Sequence, residues 1–260
     1  ATITTSQIDN GSFDVCGTVE LSLDKDAFDC SNIGDNTVVL TVEDLSGNKA
    51  TKNAIVTVKD SIKPVAKTKD VSIELGADGT VVLSGEDINN GSSDNCAIAS
   101  MDLDISSFDC ASLGENTVTL TATDTSGNSS SAIAIVTVID NIDPTINNMP
   151  TNITVDATDS SCELAVTWNL PTGADNCSFV LSSTHQPGDL FPVGTTQVIY
   201  TLTDNSGNTG SASFNITVNS LPLTLNLFSP TIGIGNVTCY GDTDGTVITT
   251  ITGGCEPYSF

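Results

Sequence analysis

The sequence predicts an all-β protein made of tandem two-sheet sandwiches. Three observations carry this. Thr, Val, Ile, Ser, Asn, Asp and Gly dominate the 260 residues, and no long Ala/Leu/Glu/Lys stretch offers a helix. Apolar residues alternate with polar ones over short runs. Whole segments recur at a fixed offset, which marks a repeat architecture.

The repeats define the organisation. Phe28-Asp29-Cys30 returns as Phe108-Asp109-Cys110. At the same offset Asp44-Leu45-Ser46-Gly47-Asn48 returns as Asp124-Thr125-Ser126-Gly127-Asn128, and again as Asp204-Asn205-Ser206-Gly207-Asn208. Ile55-Val56-Thr57-Val58 returns as Ile135-Val136-Thr137-Val138, and Ile216-Thr217-Val218 closes the third copy. These offsets place units at 1–60, 61–140, 141–220 and 221–260, the first without its opening strand.

Each unit repeats one strand–turn–strand pattern. Val38, Leu40 and Val42 alternate with Val39, Thr41 and Glu43, and Val118, Leu120, Ala122 and Val198, Tyr200, Leu202 follow in later copies. Period two with one apolar face is a half-buried antiparallel strand. Asp-x-Ser-Gly-Asn then supplies the turn, because Gly and Asn tolerate positive φ. Two such sheets face to face in about 80 to 100 residues give an Ig-like β-sandwich, repeated in a rod-like array.

Charge excludes several functions. There are 32 acids against 7 bases, a net charge of −25, and every base is a lysine at or before Lys69. Nucleic-acid binding needs Lys and Arg to neutralise phosphates, so it is excluded, as is direct membrane insertion. So negative a field favours divalent cations. His185 is the single histidine and sits in a loop-like Thr184-His185-Gln186-Pro187 segment, so no catalytic triad is expected. Trp168 reads as a core residue. We expect no enzyme activity.

The eight cysteines occur as four closely and almost evenly spaced pairs: Cys16 and Cys30, Cys96 and Cys110, Cys162 and Cys177, Cys239 and Cys255. None forms CxxC, and one histidine cannot complete a zinc site for each pair. Four local disulfides and an extracellular location follow.

The aspartates suggest calcium. In an Ig-like topology the linker entering a unit lies beside the loops after its second and sixth strands. At the junction of the second and third units the linker supplies Asp140 and Asp143, and the loops supply Asp175 and Asp204. At the preceding junction the set is Asp60, Asp94 and Asp124, with Lys63 where Asp143 would be. Asp9, Asp14 and Asp44 form the corresponding set on the first unit. Ca²⁺ takes six to eight oxygens from such irregular ligands and would stiffen the joints as in cadherin-type linkers. The competing reading is that these aspartates cap their own turns. Asp242 and Asp244 are a weaker candidate of the same kind.

Two resemblances sharpen this reading. Leu164, Val166 and Trp168 in a strand opened by Cys162, then Ala174-Asp175-Asn176-Cys177, Pro187-Gly188 and Phe191-Pro192-Val193-Gly194-Thr195-Thr196 resemble a hyalin repeat (HYR). That is an Ig-like module of extracellular and adhesion proteins. Residues 1–140 look like a related bacterial Ig-like repeat. Asn236-Val237-Thr238-Cys239-Tyr240-Gly241-Asp242-Thr243-Asp244-Gly245 through Gly253-Gly254-Cys255-Glu256-Pro257-Tyr258 resembles the first part of an SprB-type repeat, and suits a Cys239–Cys255 bridge. Together the resemblances imply a surface adhesin of gliding bacteria, exported by the type 9 secretion route, that contacts a surface polysaccharide, a glycan, another cell-surface component or itself. They also imply a weak O-glycosylation motif at Ser61 in Asp60-Ser61-Ile62. The alternatives are a spacer or carbohydrate-binding region of a secreted enzyme, and a subunit of a self-assembling extracellular filament.

Overall fold

A computed structural model describes residues 1–158, 161–222, 224–227 and 249–252 of the chain. It is all-β, with strands that follow the repeats. The first repeat carries a one-turn helix α1 (Thr5–Ile8) and strands β1 (Val19–Leu23), β2 (Gly34–Asp44) and β3 (Lys49–Val58). The second carries β4 (Val71–Glu74), β5 (Thr80–Val82), a one-turn helix α2 (Gly85–Ile88), β6 (Ile98–Leu103), β7 (Ser107–Asp109), β8 (Gly114–Asp124) and β9 (Ser129–Ile139). The third carries β10 (Thr145–Asn147), β11 (Ile153–Asp156), β12 (Glu163–Ala165), β13 (Thr172–Ala174), β14 (Phe179–Ser183), β15 (Leu190–Pro192), β16 (Gly194–Asp204) and β17 (Thr209–Asn219). Beyond these, β18 (Thr224–Leu227) pairs antiparallel with β19 (Thr249–Thr252).

The main sheet has one topology in each repeat. Its strand orders are β1-β2-β3, then β4-β9-β8-β6, then β11-β17-β16-β14. The long hairpins β2–β3, β8–β9 and β16–β17 form its centre, closed by the Asp-x-Ser-Gly-Asn turns. In the third repeat β11 adds in parallel beside β17, with Ile153 opposite Ile216 and Val155 opposite Val218. Short pairs β5–β7, β10–β13 and β12–β15 supply the facing layer.

Period-two burial follows the sequence. Val118, Leu120, Ala122, Val136 and Val138 are buried in the second repeat. In the third, Val198, Tyr200, Phe214, Ile216 and Val218 form one cluster with Val166 and Phe191. Trp168 packs on that cluster, edge-on to Phe191 and Phe214, and donates Nε1–H to Tyr200 Oη at 2.7 Å. The lone indole is therefore a core residue with its polar atom satisfied. In the first repeat Val56 and Val58 stay half-buried where their counterparts Val136 and Val138 are fully covered, because that sheet has three strands and not four.

Chain contacts divide the protein into two compact units. One comprises Ala1–Ile73, Val81–Phe108 and Gly114–Val138, and the other Glu74–Thr80, Asp109–Leu113 and Ile139–Phe260. The junction between the first and second repeats lies wholly inside the former unit, and that between the second and third wholly inside the latter.

The disulfides correct the local pairing. Cys30 bonds Cys96 and Cys110 bonds Cys177, at sequence separations of 66 and 67. Cys16 is exposed with a free thiol, and Cys162 is disulfide-bonded, though not to Cys177. The reason is strand length. Cys16 and Cys30 flank the five residues of β1, which put them roughly 17 Å apart, far beyond the ~7 Å Cα limit of a disulfide. Cys16 and Cys30 thus lie at opposite ends of β1, and Cys30 and Cys110 each bond a cysteine of the following repeat. Cys239, Cys255, Asp242 and Asp244, with the SprB-type motifs, lie outside the described residues.

Candidate metal centre

Each hairpin turn is built around its first aspartate. Oδ1 of Asp44, Asp124 and Asp204 accepts the N–H of the residue two on (Ser46, Ser126, Ser206) at 2.8 Å in all three. The same oxygen accepts the N–H of Asn48, Asn128 or Asn208, also at 2.8 Å. The asparagine amide donates to Oδ2 at 2.7, 2.7 and 2.8 Å. Gly47, Gly127 and Gly207 sit at φ +85°, +88° and +92°, which the turn requires and a side chain would resist. Hydrogen bonds to the charged form hold these carboxyls below their ordinary value. At Asp44 the Asn48 amide contributes most. At Asp124 and Asp204 burial is the largest influence and pushes upward, but the asparagine amide and turn N–H groups outweigh it.

The turn asparagine also reaches the linker. Asn128 Nδ2 donates to the Asp60 carbonyl at 3.2 Å and Asn208 Nδ2 to the Asp140 carbonyl at 2.9 Å. This fixes the linker aspartate against the turn. Each linker aspartate then bends back, its Oδ1 accepting the N–H of Ile62 or Ile142 at 3.1 Å.

The Asp-Asn-Cys loops before β6 and β14 complete the centres. Asn95 Nδ2 donates to Asp60 Oδ1 at 3.3 Å, and Asn176 Nδ2 to Asp140 Oδ1 at 3.1 Å. Cys96 N–H donates to Asp94 Oδ2 at 2.8 Å and Cys177 N–H to Asp175 Oδ2 at 3.2 Å. The same bond joins Cys16 N–H to Asp14 Oδ2 at 3.2 Å.

Asp140, Asp175 and Asp204 thereby bring ligand oxygens within 4.8 Å of one another. Asp140 is 4% exposed and Asp204 6%. Asp140 Oδ2, Asp175 Oδ1 and Asn176 Oδ1 are buried without a hydrogen-bond partner. In the other junction Asp60 Oδ2 and Asp94 Oδ1 are likewise buried and unpartnered, and those two carboxylates group with the Cys96 sulfur. That sulfur is in a disulfide and offers no thiolate, so the donors there are oxygens. Two carboxylates ~5 Å apart repel by about 3 kcal/mol at an effective dielectric near 20. Orphaned buried oxygens of this kind fit a hard divalent cation, and Ca²⁺ accepts such a flexible all-oxygen set.

Not every expected ligand is there. Asp143 is exposed and outside the cluster. Three residues along an extended linker put its side chain on the face opposite Asp140. Asp124 is buried but does not group with Asp60 and Asp94. Asp9, Asp14 and Asp44 form no such group among the described residues. Asp9 Oδ1 is taken by the Ser12 N–H and hydroxyl at 2.9 and 2.5 Å, which hold its carboxyl low. Asn95, Asn176, Asn128 and Asn208 are members of the centre that sequence reasoning missed. Their recurrence in the Asp-Asn-Cys loops and at the end of the Asp-x-Ser-Gly-Asn turns was the available signal. Ser61 is exposed.

Fold and centre together define a protein of tandem Ig-like sandwiches with acidic, disulfide-bearing junctions. Residues 139–218 match the family model described as HYR domain, which covers the third repeat almost end to end. The chain is 34% identical over 197 residues to hyalin of Strongylocentrotus purpuratus, covering 72% of this chain and 16% of that protein. It is 31% identical over 216 residues to hyalin of Lytechinus variegatus, covering 78% and 40%. It thus spans well under two thirds of these relatives. Among solved structures, protocadherin gamma B7 extracellular cadherin domains 1–4 overlap it at TM-score 0.37 and 12% identity, covering 81% of this chain and 69% of that one. Among the described residues no helix is long and apolar enough to cross a membrane.

Proposed function

We propose that this chain is a load-bearing segment of an extracellular adhesion protein, a stalk of separately folded sandwiches whose joints are stiffened by calcium. The units are 1–60, 61–140, 141–220 and 221–260, and their role is structural and not catalytic. One observation carries the reading. Both described junctions repeat the same device: a linker aspartate with a buried, unpartnered oxygen, a facing Asp-Asn-Cys loop and a disulfide to the preceding repeat. A device that recurs at both described joints serves mechanics. The similarity to the hyalins and the HYR match support an extracellular, cell-surface setting. The partner is a surface polysaccharide, a glycan, another cell-surface component or a second copy.

The finer assignment is a gliding-type bacterial surface adhesin exported by the type 9 route. It rests on the Asn236–Gly245 and Gly253–Tyr258 motifs standing in one chain with the HYR-like repeat.

At the junctions Asp140, Asp175, Asp204 and Asn176 would hold one cation, and Asp60 and Asp94 with neighbouring oxygens another. The ion would cancel carboxylate repulsion and tie linker to loop. Thermal unfolding in calcium against a chelator tests this. A cation at 100 times its dissociation constant stabilises by about 2.7 kcal/mol, worth roughly 10 °C or more for a domain of this size. Superimposable melts would refute the cation reading.

A further inference from the structure

We infer that cation and disulfide at each junction form one coupled redox unit: the cation makes the disulfide harder to reduce, and reduction loosens the cation. The inference rests on the cation reading above and adds its regulation.

The geometry is clearest at the junction of the second and third repeats. Asp175 and Cys177 are two residues apart on one tight loop, joined by the Cys177 N–H to Asp175 Oδ2 bond. Cys110 opens a short 3₁₀ turn, Cys110–Ser112, whose cap Asp109 accepts the Ala111 N–H at 3.0 Å. The disulfide therefore clamps the loop that carries Asp175 to a fixed point on the preceding repeat. Cys110 Sγ lies 3.4 Å from the Asn176 carbonyl oxygen, a packing contact, since a disulfide sulfur carries no hydrogen. The linker partner, Asp140, is held through its carbonyl by Asn208 and through Oδ1 by Asn176 of the clamped loop. Asp175 Oδ1, Asn176 Oδ1 and the nine-tenths-buried Asp140 Oδ2 are the unpartnered oxygens that the clamp brings together.

The first junction repeats the arrangement at closer range. The Cys96 sulfur lies within 4.8 Å of the Asp60 and Asp94 ligand oxygens. Asn95 Nδ2 reaches both Asp60 Oδ1 and, at 3.2 Å, that sulfur, and Cys30 Sγ sits 3.5 Å from the Asn95 carbonyl oxygen.

The reduction balances simply. A dithiol reductant gives up two electrons and closes its own S–S bond. The Cys110–Cys177 bond breaks, and the two protons end on the two new protein thiols. With the clamp open, repulsion between Asp140 and Asp175 drives the loop from the linker, so the oxygens must be gathered again before a cation binds. Linkage makes the effect reciprocal: the factor by which reduction weakens the cation is the factor by which the cation disfavours reduction. The reciprocity concerns equilibrium, so the readout is equilibrium. The rate has an opposing contribution, because a cation also attracts the attacking thiolate.

The test uses the full chain and calcium alone as the probe, equilibrated in graded mixtures of reduced and oxidised dithiothreitol. Peptide mass spectrometry reads the state of Cys96 and Cys177 separately. Calcium should raise the reduced-to-oxidised ratio needed for half-reduction about tenfold or more at both disulfides. Asp175→Asn should remove that protection at Cys110–Cys177 and leave it at Cys30–Cys96. In the non-reducing arm, Cys110→Ser/Cys177→Ser should bind calcium about tenfold more weakly at that junction alone. Calcium that binds the wild type yet leaves both half-reduction points unmoved overturns the coupling while sparing the cation reading. Protection that survives Asp175→Asn also overturns it. Absence of calcium binding overturns both.

Discussion

Removing one junction disulfide should cost somewhat more than removing a local bridge. In Cys110→Ser/Cys177→Ser the lost cross-link spans 67 residues. In the chain-entropy model such a loop is worth about 4 kcal/mol, against about 3 for a local loop of roughly 15 residues. The value changes little if the second repeat stays folded while the third melts, because the dependence on loop length is logarithmic. Guanidinium unfolding followed by the fluorescence of Trp168 reads the third repeat directly. Its midpoint should fall by an amount equivalent to about 4 kcal/mol. Non-reducing peptide maps of the wild type, made with an Asp-specific protease because no Lys or Arg follows Lys69, should show Cys30 linked to Cys96 and Cys110 to Cys177. A Cys96–Cys110 or Cys162–Cys177 peptide, or an unmoved unfolding midpoint in the variant, would refute the reasoning.

Three further outcomes follow from the same geometry. The carboxyls of Asp44, Asp124 and Asp204 titrate lower folded than unfolded, so their stabilising contribution is complete above the ordinary value of 3.8 and lost as pH falls below it. Acid melts should show that loss below about pH 4, and Asp204→Asn should flatten it in the third repeat. Gly79→Ala should destabilise by about 2 kcal/mol, because Gly79 sits at φ +73° and a Cβ would lie 2.6 Å from the Asn176 carbonyl oxygen. Its calcium affinity should fall as the loop is displaced. Tyr200→Phe removes the acceptor of the Trp168 indole and should cost about 1 kcal/mol, with an emission shift from the only tryptophan.

Sheet architecture was legible because it is local. Period-two runs such as Val118, Leu120 and Ala122 specify a face, and Asp-x-Ser-Gly-Asn specifies its turn, whose Gly127 adopts the positive φ the motif demands. The clustering of Asp140 with Asp175 and Asp204 was legible too, since topology places a linker beside two loops. What escaped was three-dimensional spacing. Cys16 and Cys30 look like neighbours along the chain, yet they lie at opposite ends of β1. Asp143 looks equivalent to Asp140, yet the extended linker turns it away. Asn176 and Asn208 read as turn formers, and only their donation to Asp140 shows that they position the linker. Asp124 shows the opposite case. It repeats Asp204 in sequence, burial and turn hydrogen bonds, yet stays out of the Asp60–Asp94 group.

The most direct measurement is the calcium stoichiometry of the full chain by titration calorimetry, compared with an Asp60→Asn/Asp140→Asn variant. Loss of two bound ions per chain in the variant, with its β-sheet circular dichroism unchanged, is the result the account predicts. Equal stoichiometry in the two proteins would contradict it.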